Sequence, residues 1–388
     1  MKKTLLFLFC FISVAVSAGA QEKTSWLGGI IDWIGRPNPK LDSLAVYQPA
    51  PRWNVTLTGT GRQIGAMQKS SFSTMSVKEE NGTFIEFTYP GSVKLDLQEK
   101  MYRGVGAYVG YGKLSLGMST EIGRKSAQKN RSFSFDIVSS GYGLQFSYYD
   151  IWQPMEYDLL LGNDETDPVY AHRQGTSYEP GNLKMFIADA FYAVNQHSFA
   201  YSAVYKGSKI QRRSAGSILL YSKYLRGKIS TDPMDVISSW TDHLIHYTTS
   251  QFSVGAGYSY NLVAFHRQPV DRQTNRGLRN LTFNVTAIPL LTAYGHLSSS
   301  RAIFNEERVV VDEERSSTTN SSAWLNFEAR AGMCYSWNQF FVGLTVDYDS
   351  FSFQGKTESS REELDFEDIK TNGRFHKWMA VLRVNMAF

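Results

Sequence analysis

Cysteine, net charge and long apolar runs are all scarce in this chain of 388 residues. Of its 2 cysteines, Cys10 lies in an N-terminal apolar stretch, which leaves Cys334 alone and excludes an intrachain disulfide framework. Export would have permitted disulfides, so stability must come from strand pairing or burial. Lysine and arginine number 40 against 36 acidic residues, and two of the basic ones, Lys2 and Lys3, stand at the extreme N-terminus. That near-neutral balance leaves no basic surplus for nucleic acid. Beyond residue 20 no run approaches the ~18 consecutive apolar residues of a membrane helix. There is no H-E-x-x-H pattern for zinc and no G-x-S-x-G nucleophile turn. The glycine-rich stretches from Gly59 to Gly65 and Gly104 to Gly110 lead into no helix and are not nucleotide loops.

The N-terminus reads Met1-Lys2-Lys3, then an apolar run from Leu5 to Val16, then Ser17-Ala18-Gly19-Ala20. This is the order of a secretory signal peptide, expected to span residues 1–20 and to be cleaved. Cys10 lacks the small residue that a lipoprotein signal places before its cysteine, which argues against a lipid anchor. Residues 21–51 form a separate leader whose Pro37, Pro39, Pro49 and Pro51 oppose a regular strand. It either lies in the periplasm or enters a barrel mouth as a small plug. Residues 52–388 show no composition break and read as one domain.

Aromatic residues make up 14%, with 22 Tyr, 24 Phe and 8 Trp, beside 31 Gly. Short alternating segments of this composition fit an all-β, single-chain transmembrane antiparallel barrel, apolar towards lipid and ringed by aromatics. A soluble sandwich or propeller is the competing reading of composition alone. The final segment favours the barrel. Trp378, Ala380, Leu382, Val384, Met386 and Phe388 alternate on one face against Lys377, Arg383 and Asn385 on the other, over the length a tilted membrane strand needs. Trp378, Leu382, Val384, Met386 and terminal Phe388 resemble the signal that outer-membrane barrels present to their assembly machinery.

Two-residue hairpins fix which positions face each other, and facing positions must share a side of the sheet. A Gly112-Lys113 turn sets Tyr111 opposite Leu114. An Asn195-Gln196 turn brings Ala188, Ala190 and Tyr192 to Phe199, Tyr201 and Ala203. A Trp337-Asn338 turn joins Leu325 to Met333 with Val342 to Tyr348, placing Glu328 opposite Asp347 and Arg330 opposite Thr345. Further strands are expected at Trp53 to Thr60, Val93 to Gln98, Ser132 to Val138, Gly141 to Tyr149, Ser214 to Leu225, Gln251 to Asn261 and Leu281 to Ile288. The total is twelve to sixteen. Long polar stretches, Asp150 to Gly181, Gly207 to Arg213, Phe265 to Arg279, Ser298 to Ser321 and Ser350 to Gly373, match long extracellular loops alternating with short periplasmic turns.

Several segments resemble a family of Bacteroides-type outer-membrane barrels, domain-of-unknown-function family 4421. They are Asp42-Ser43 through Pro51-Arg52-Trp53-Asn54-Val55, Gly141-Tyr142-Gly143-Leu144, Gln211-Arg212-Arg213-Ser214-Ala215-Gly216-Ser217-Ile218-Leu219-Leu220, Leu281 through Pro289, and the closing strand. The resemblance implies a fold and a location, and no activity.

Charged residues opposite the apolar faces are expected in the lumen: Lys94, Asp96, Asp136, Asp189, Glu328, Arg330, Asp347 and Arg383. They either line a solute path or knit the interior into a salt-bridged plug, with Arg330 and Arg383 neutralising Glu328 and Asp347. Candidates for chemistry are weaker. Ser214 or Ser217 beside His197 or His243 suggests a nucleophile and base, although small residues at a strand start also serve close backbone packing. His243 and His246 with Asp232, Asp235 and Asp242 form a His/Asp group of the kind that binds metal, or solvated loop residues. The acidic runs Asp158 to Asp167 and Glu306 to Arg315 suit calcium, or simply keep a loop soluble. No cofactor, metal or catalytic residue is assigned. The expected partners are outer-membrane lipid and lipopolysaccharide, the barrel-assembly machinery and an unidentified envelope protein. Three roles follow: a non-enzymatic barrel for small-solute passage or for anchoring an envelope complex, a lipid-modifying enzyme with Ser217 and His243 at the rim, or a surface-binding protein acting through its loops.

Overall fold

A computed structural model describes residues 33–34, 41–49, 53–72, 75–78, 84–87, 91–99, 101–123, 130–153, 155–161, 171–176, 181–230, 232, 244–271, 275–305, 309–320, 324–357 and 369–388. Twelve antiparallel strands close a ring: β1 (Trp53–Phe72), β2 (Tyr102–Tyr111), β3 (Leu114–Glu121), β4 (Arg131–Val138), β5 (Tyr142–Gln153) and β6 (Gly181–Ala193), then β7 (Ala215–Ser230), β8 (Leu244–Arg267), β9 (Arg279–Phe304), β10 (Trp324–Trp337), β11 (Phe340–Thr357) and β12 (Ile369–Ala387). Each pairs with the next in sequence, and β12 returns to β1 with Asn54 opposite Ala387. The terminal Phe388 N–H donates to the Trp53 carbonyl at 2.9 Å, so the two chain ends of the barrel seal each other. Closure leaves no unpaired edge in the ring.

Alternation decides what faces outward. Leu57, Val105, Leu220, Val285, Leu325, Leu344, Trp378, Leu382, Val384 and Met386 are exposed, whereas their sequence neighbours point into the barrel. Isolated exposed apolar residues are ordinary on soluble proteins, but a belt of them around every wall is a lipid face. Trp53 and Tyr111 (ring centroids 5.2 Å apart) and Trp337 and Phe340 (6.2 Å) mark one rim, and Tyr348 with Trp378 (4.4 Å) stands higher on the same face. Phe340 pairs with Met386 and Tyr348 with Trp378. Eight residues therefore separate the levels, roughly 27 Å along a strand at ~3.4 Å per residue. At the usual tilt of about 40° this gives roughly 20 Å of height, near the ~25 Å band of such barrels. β8 and β9 run for 24 and 26 residues, over twice the ~10 that span a membrane. They project beyond the belt on the side of the long connections.

The Gly112-Lys113 hairpin forms as read, with Tyr111 opposite Leu114 and Gly112 at φ 58°. Gly117 lies beneath the Tyr108 ring, where an added Cβ would come within 2.1 Å of a ring carbon. The last hairpin is displaced by two. Its turn is Asn338-Gln339, Trp337 pairs with Phe340, and Arg330 stands opposite Asp347 with Glu328 opposite Asp349. Asn338 takes the left-handed position, φ 53°, that asparagine tolerates better than tryptophan. A slip of two keeps every side chain on its face, so alternation could not detect it.

The Asn195-Gln196 hairpin does not exist. β6 pairs with β7, and residues 195–213 between them fold into the barrel, with a helical turn at Ser202–Tyr205. Phe199, Ala200, Tyr201, Ala203 and Val204 are all buried, on both of the faces that alternation would distinguish. Of the leader, Leu41 to Pro49 joins this inner segment: Val46–Tyr47 pairs with Ile210–Gln211. Together they plug the end carrying the short turns.

Two of the long polar stretches are also relocated. Gly207 to Arg213 belongs to the plug, and Phe265 to Arg279 connects β8 to β9 at the short-turn end. Ser298 to Phe304 and Ser350 to Thr357 continue β9 and β11. Gly91–Glu99 is a strand, but it pairs with the far half of β1 outside the ring and extends the sheet towards Met155–Leu161 and Ala171–Thr176.

Candidate functional site

The interior is filled by layers of side chains. Nearest the short turns, Phe199, Tyr201 and Tyr205 of the plug pack on Val138, Phe191, Leu219, Tyr221, Ile288 and Leu290 of the wall. The plug is fastened by polar bonds: the Tyr205 hydroxyl donates to Asn284 Oδ1 at 2.5 Å, and Asn261 Nδ2 donates to the Ala200 carbonyl at 2.9 Å and to Gln211 Oε1 at 3.1 Å. Lys206 pairs with Asp136. Cys334 lines the wall here, its thiol donating to the Ala203 carbonyl at 3.3 Å. Towards the long connections, Ile64, Leu97, Ile151, Leu183, Met185, Ile187, Leu225, Ile229, Phe351 and Phe375 form an apolar layer inside the barrel.

Between these layers lies a charge network assembled by register. Asp189 of β6 faces Lys223 of β7, Arg330 of β10 faces Asp347 of β11, and Asp349 has Glu328 on one side and Lys377 on the other. Lys223 then reaches across the lumen, donating to Glu328 and, at 2.6 Å, to Asp349 Oδ1, with Asp189 3.5 Å away. Lys377 takes the second Asp349 oxygen at 2.6 Å. Arg330 Nε lies 2.7 Å from Glu328 Oε1, and its Nη1 and Nη2 donate to Tyr201 at 2.8 Å and Tyr221 at 3.1 Å. Tyr201 belongs to the plug, so this guanidinium ties wall, network and plug together. Above, Arg62 pairs with Glu99 at 2.9 Å and lies over the Tyr102 ring. Arg62, Lys206, Lys223, Arg330, Lys377 and Arg383 are thus matched by Glu99, Asp136, Asp189, Glu328, Asp347 and Asp349.

The structure therefore brings Asp136, Asp189, Glu328, Arg330 and Asp347 into the interior. Lys94 and Asp96 do not join them. Leu97 packs beside Ile64 inside, so alternation puts Lys94 and Asp96 on the opposite face, in the extension beyond the ring. Arg383 is inward, its Nη1 donating to Thr345 Oγ1 at 2.7 Å and its charge acting on Asp347, while Lys377 of the same strand pairs with Asp349. Lys223 escaped the sequence because β7 is apolar on both faces: Leu219, Tyr221 and Leu225 flank it inside, and Ile218 and Leu220 face out. Asp349 and Lys377 were legible as polar-face positions once the register was right.

A partly polar cavity lies beside the network. It measures about 130 Å³ and runs from Asn54 and Lys113 to Arg62 and Tyr149 along the wall of β1 to β5 and β12. At ~10–15 Å³ per water it has room for roughly ten waters.

Both candidate serines are engaged by backbone within the wall. Ser217 is buried; its Oγ accepts from the Asn195 N–H at 2.9 Å and donates to the Ile218 carbonyl at 2.9 Å. Ser214 Oγ accepts from the Val263 N–H. Gly216 lies under the Tyr258 and Tyr260 rings, so small residues here serve close packing. His243, Asp235 and Asp242 lie outside the described residues, as do 162–167 and 306–308 of the acidic runs. Asp158 pairs with His172 at 2.7 Å. Among the described residues no three metal-ligating side chains cluster.

Comparison with curated proteins gives no match. Among solved structures, the outer membrane protease OmpT of Escherichia coli is similar at 5% identity and TM-score 0.35, over 86% of this chain and 97% of that one. The toluene transporter TodX of P. putida follows at 8% identity and TM-score 0.19 (84% and 90%), and a Pseudomonas aeruginosa FadL homologue at 8% and 0.20 (87% and 90%). No residue role, substrate or activity passes from them to this chain at such values. The family model described as Domain of unknown function (DUF4421) matches residues 67–372, from the middle of β1 into β12, and the chain belongs to that family.

Proposed function

We propose that this chain is a sealed barrel of the outer membrane of a Gram-negative bacterium, reached after removal of a signal peptide, and that it anchors an envelope assembly instead of passing solutes. The observation that carries this reading is the lumen itself, bridged by Lys223 to carboxylates three and four strands away and stoppered by a plug bonded to Arg330. A solute path needs a continuous aqueous channel with groups that bind and release. Here the charges are spent on one another, and replacing them by solute would strand buried ions. Lipid contacts the belt, the assembly machinery reads the closing strand, and the projecting ends of β8, β9 and β11 form an external platform for a partner. The lipid-modifying alternative has less support, because the hydroxyl of Ser217 is engaged by backbone within the wall.

Liposome swelling tests the reading. Vesicles carrying the refolded protein should swell in small sugars no faster than empty vesicles, and photo-crosslinkers on the projecting strands should trap one recurrent envelope protein in cells. Rapid swelling would refute the sealed barrel.

A further inference from the structure

The mouth at the short-turn end holds a second cavity, of about 80 Å³, beside the plug. Lys209 of the plug and Lys113 of the β2–β3 turn both line it, and among the described residues that line it none is a carboxylate. Lys209 is 4% exposed, and its Nζ has no hydrogen-bond partner among the described residues. Lys113 is held differently, donating to the Trp33 carbonyl at 2.8 Å with its ammonium over the Trp33 ring. The buried hydroxyl of Ser208 also lacks a partner, and Asn385 turns its amide towards the Lys206 carbonyl at 3.4 Å. Arg62, Lys206, Lys223, Arg330 and Lys377, by contrast, each meet a carboxylate. A buried ammonium without a counter-charge is expensive, and the ordinary remedy is an anion or loss of the proton.

We propose that this cavity is a binding site for a phosphate group, entering from the side of the short turns, with Lys209 and Lys113 as its cationic pair and Ser208 as a hydrogen-bond donor. The ammonium of Lys209 and the hydroxyl of Ser208 both lack a partner among the described residues, and the oxygens of one phosphate can accept from the two at once, with Lys113 adding positive charge beside them. The volume, room for roughly five to eight waters, suits one tetrahedral oxyanion with some water. Lysine serves phosphate as a point charge and needs no bidentate geometry. Burial, and then the neighbouring Lys113, push Lys209 down to about 7, so the group is poised to take up a proton as an anion arrives. The phosphate belongs to a free ion or to the headgroup of a lipid or other ester.

The test is calorimetric titration of the full-length folded barrel, held in a phosphate-free sugar detergent, with inorganic phosphate and separately with glycerol phosphate. Inorganic phosphate should bind with one-to-one stoichiometry, and Lys209→Met should weaken it by about tenfold or more while the barrel stays heat-modifiable. Equal or tighter binding of glycerol phosphate would identify an ester or headgroup as the source, and weaker binding the free ion; both fit the site. If Lys209→Met does not fold, Lys113→Met and the titration of the Lys209 side-chain nitrogen by NMR replace it. That nitrogen should titrate about one unit higher with phosphate than without. No binding of either probe, undiminished binding in Lys209→Met, or a Lys209 titration indifferent to phosphate would overturn the proposal.

Discussion

Glu328 and Asp349 stand directly opposite each other on β10 and β11, and one ammonium, Lys223 of β7, reaches through the lumen to serve both. Two facing carboxylates repel when alone. Their coexistence depends on a residue three strands removed from Glu328 in the ring, so the pairing holds the barrel's cross-section closed as well as balancing charge.

Replacing Lys223 by Met keeps the length of the side chain and removes the charge. Glu328 and Asp349 would retain Arg330 and Lys377, but Asp189 would lose its facing cation. Loss of one partner from a buried network costs about 3–5 kcal/mol. Urea unfolding in detergent should show a loss of that order, partly recovered by adding Asp349→Asn. A stability equal to the parent protein would mean that the network is hydrated and weak.

Arg330→Ala removes the links from the wall to Tyr201 of the plug and to Tyr221. Hydrogen bonds to a charged group contribute roughly 1.5–3 kcal/mol each. The variant should be less stable, its 195–213 segment should be cleaved sooner by added protease, and any small current should favour cations, because Glu328 and Asp347 lose their neighbour. Tyr201→Phe should reproduce the protease sensitivity without the cation preference. Identical proteolysis in both variants and the parent would separate the plug from the network.

Deleting Phe388, or changing it to Asp, removes an exposed ring of the lipid belt, and the deletion also removes the bond to Trp53 that closes β12 on β1. The amount of heat-modifiable barrel in the membrane should fall and periplasmic degradation should rise. Undiminished levels would show that assembly does not read this end.

Orientation follows from the short turns and the plug sharing one end. A protease-cleavable tag at Thr318 should be cut on intact cells, whereas a tag in the Gly112-Lys113 turn should be cut only after the outer membrane is opened. The reverse pattern would invert the topology and move the plug to the cell surface.

The parts legible in the sequence were those in which one face meets lipid and the other does not. The closing strand and the Gly112-Lys113 hairpin alternate cleanly because Trp378, Leu382, Val105 and Val109 face lipid while Lys377, Arg383, Gly106 and Tyr108 do not. Alternation carries no register information at steps of two, which is why the turn at Asn338 moved and Arg330 acquired Asp347 as its direct partner. It misleads where both faces are buried: Phe199, Tyr201 and Ala203 alternate like a strand, yet Ala200 and Val204 between them are as deeply enclosed. It is silent where a strand is apolar on both sides, as around Lys223. The charge layer was thus half visible, as residues, while the cross-lumen contacts that make it a seal depend on closure of the whole ring.

Single-channel recording in planar bilayers tests the sealed lumen most directly. The folded full-length protein should give no steady conductance, and removal of residues 198–213 together with Lys223→Met should open a current through the same barrel. A large, stable, strongly ion-selective conductance in the unmodified protein would contradict the account.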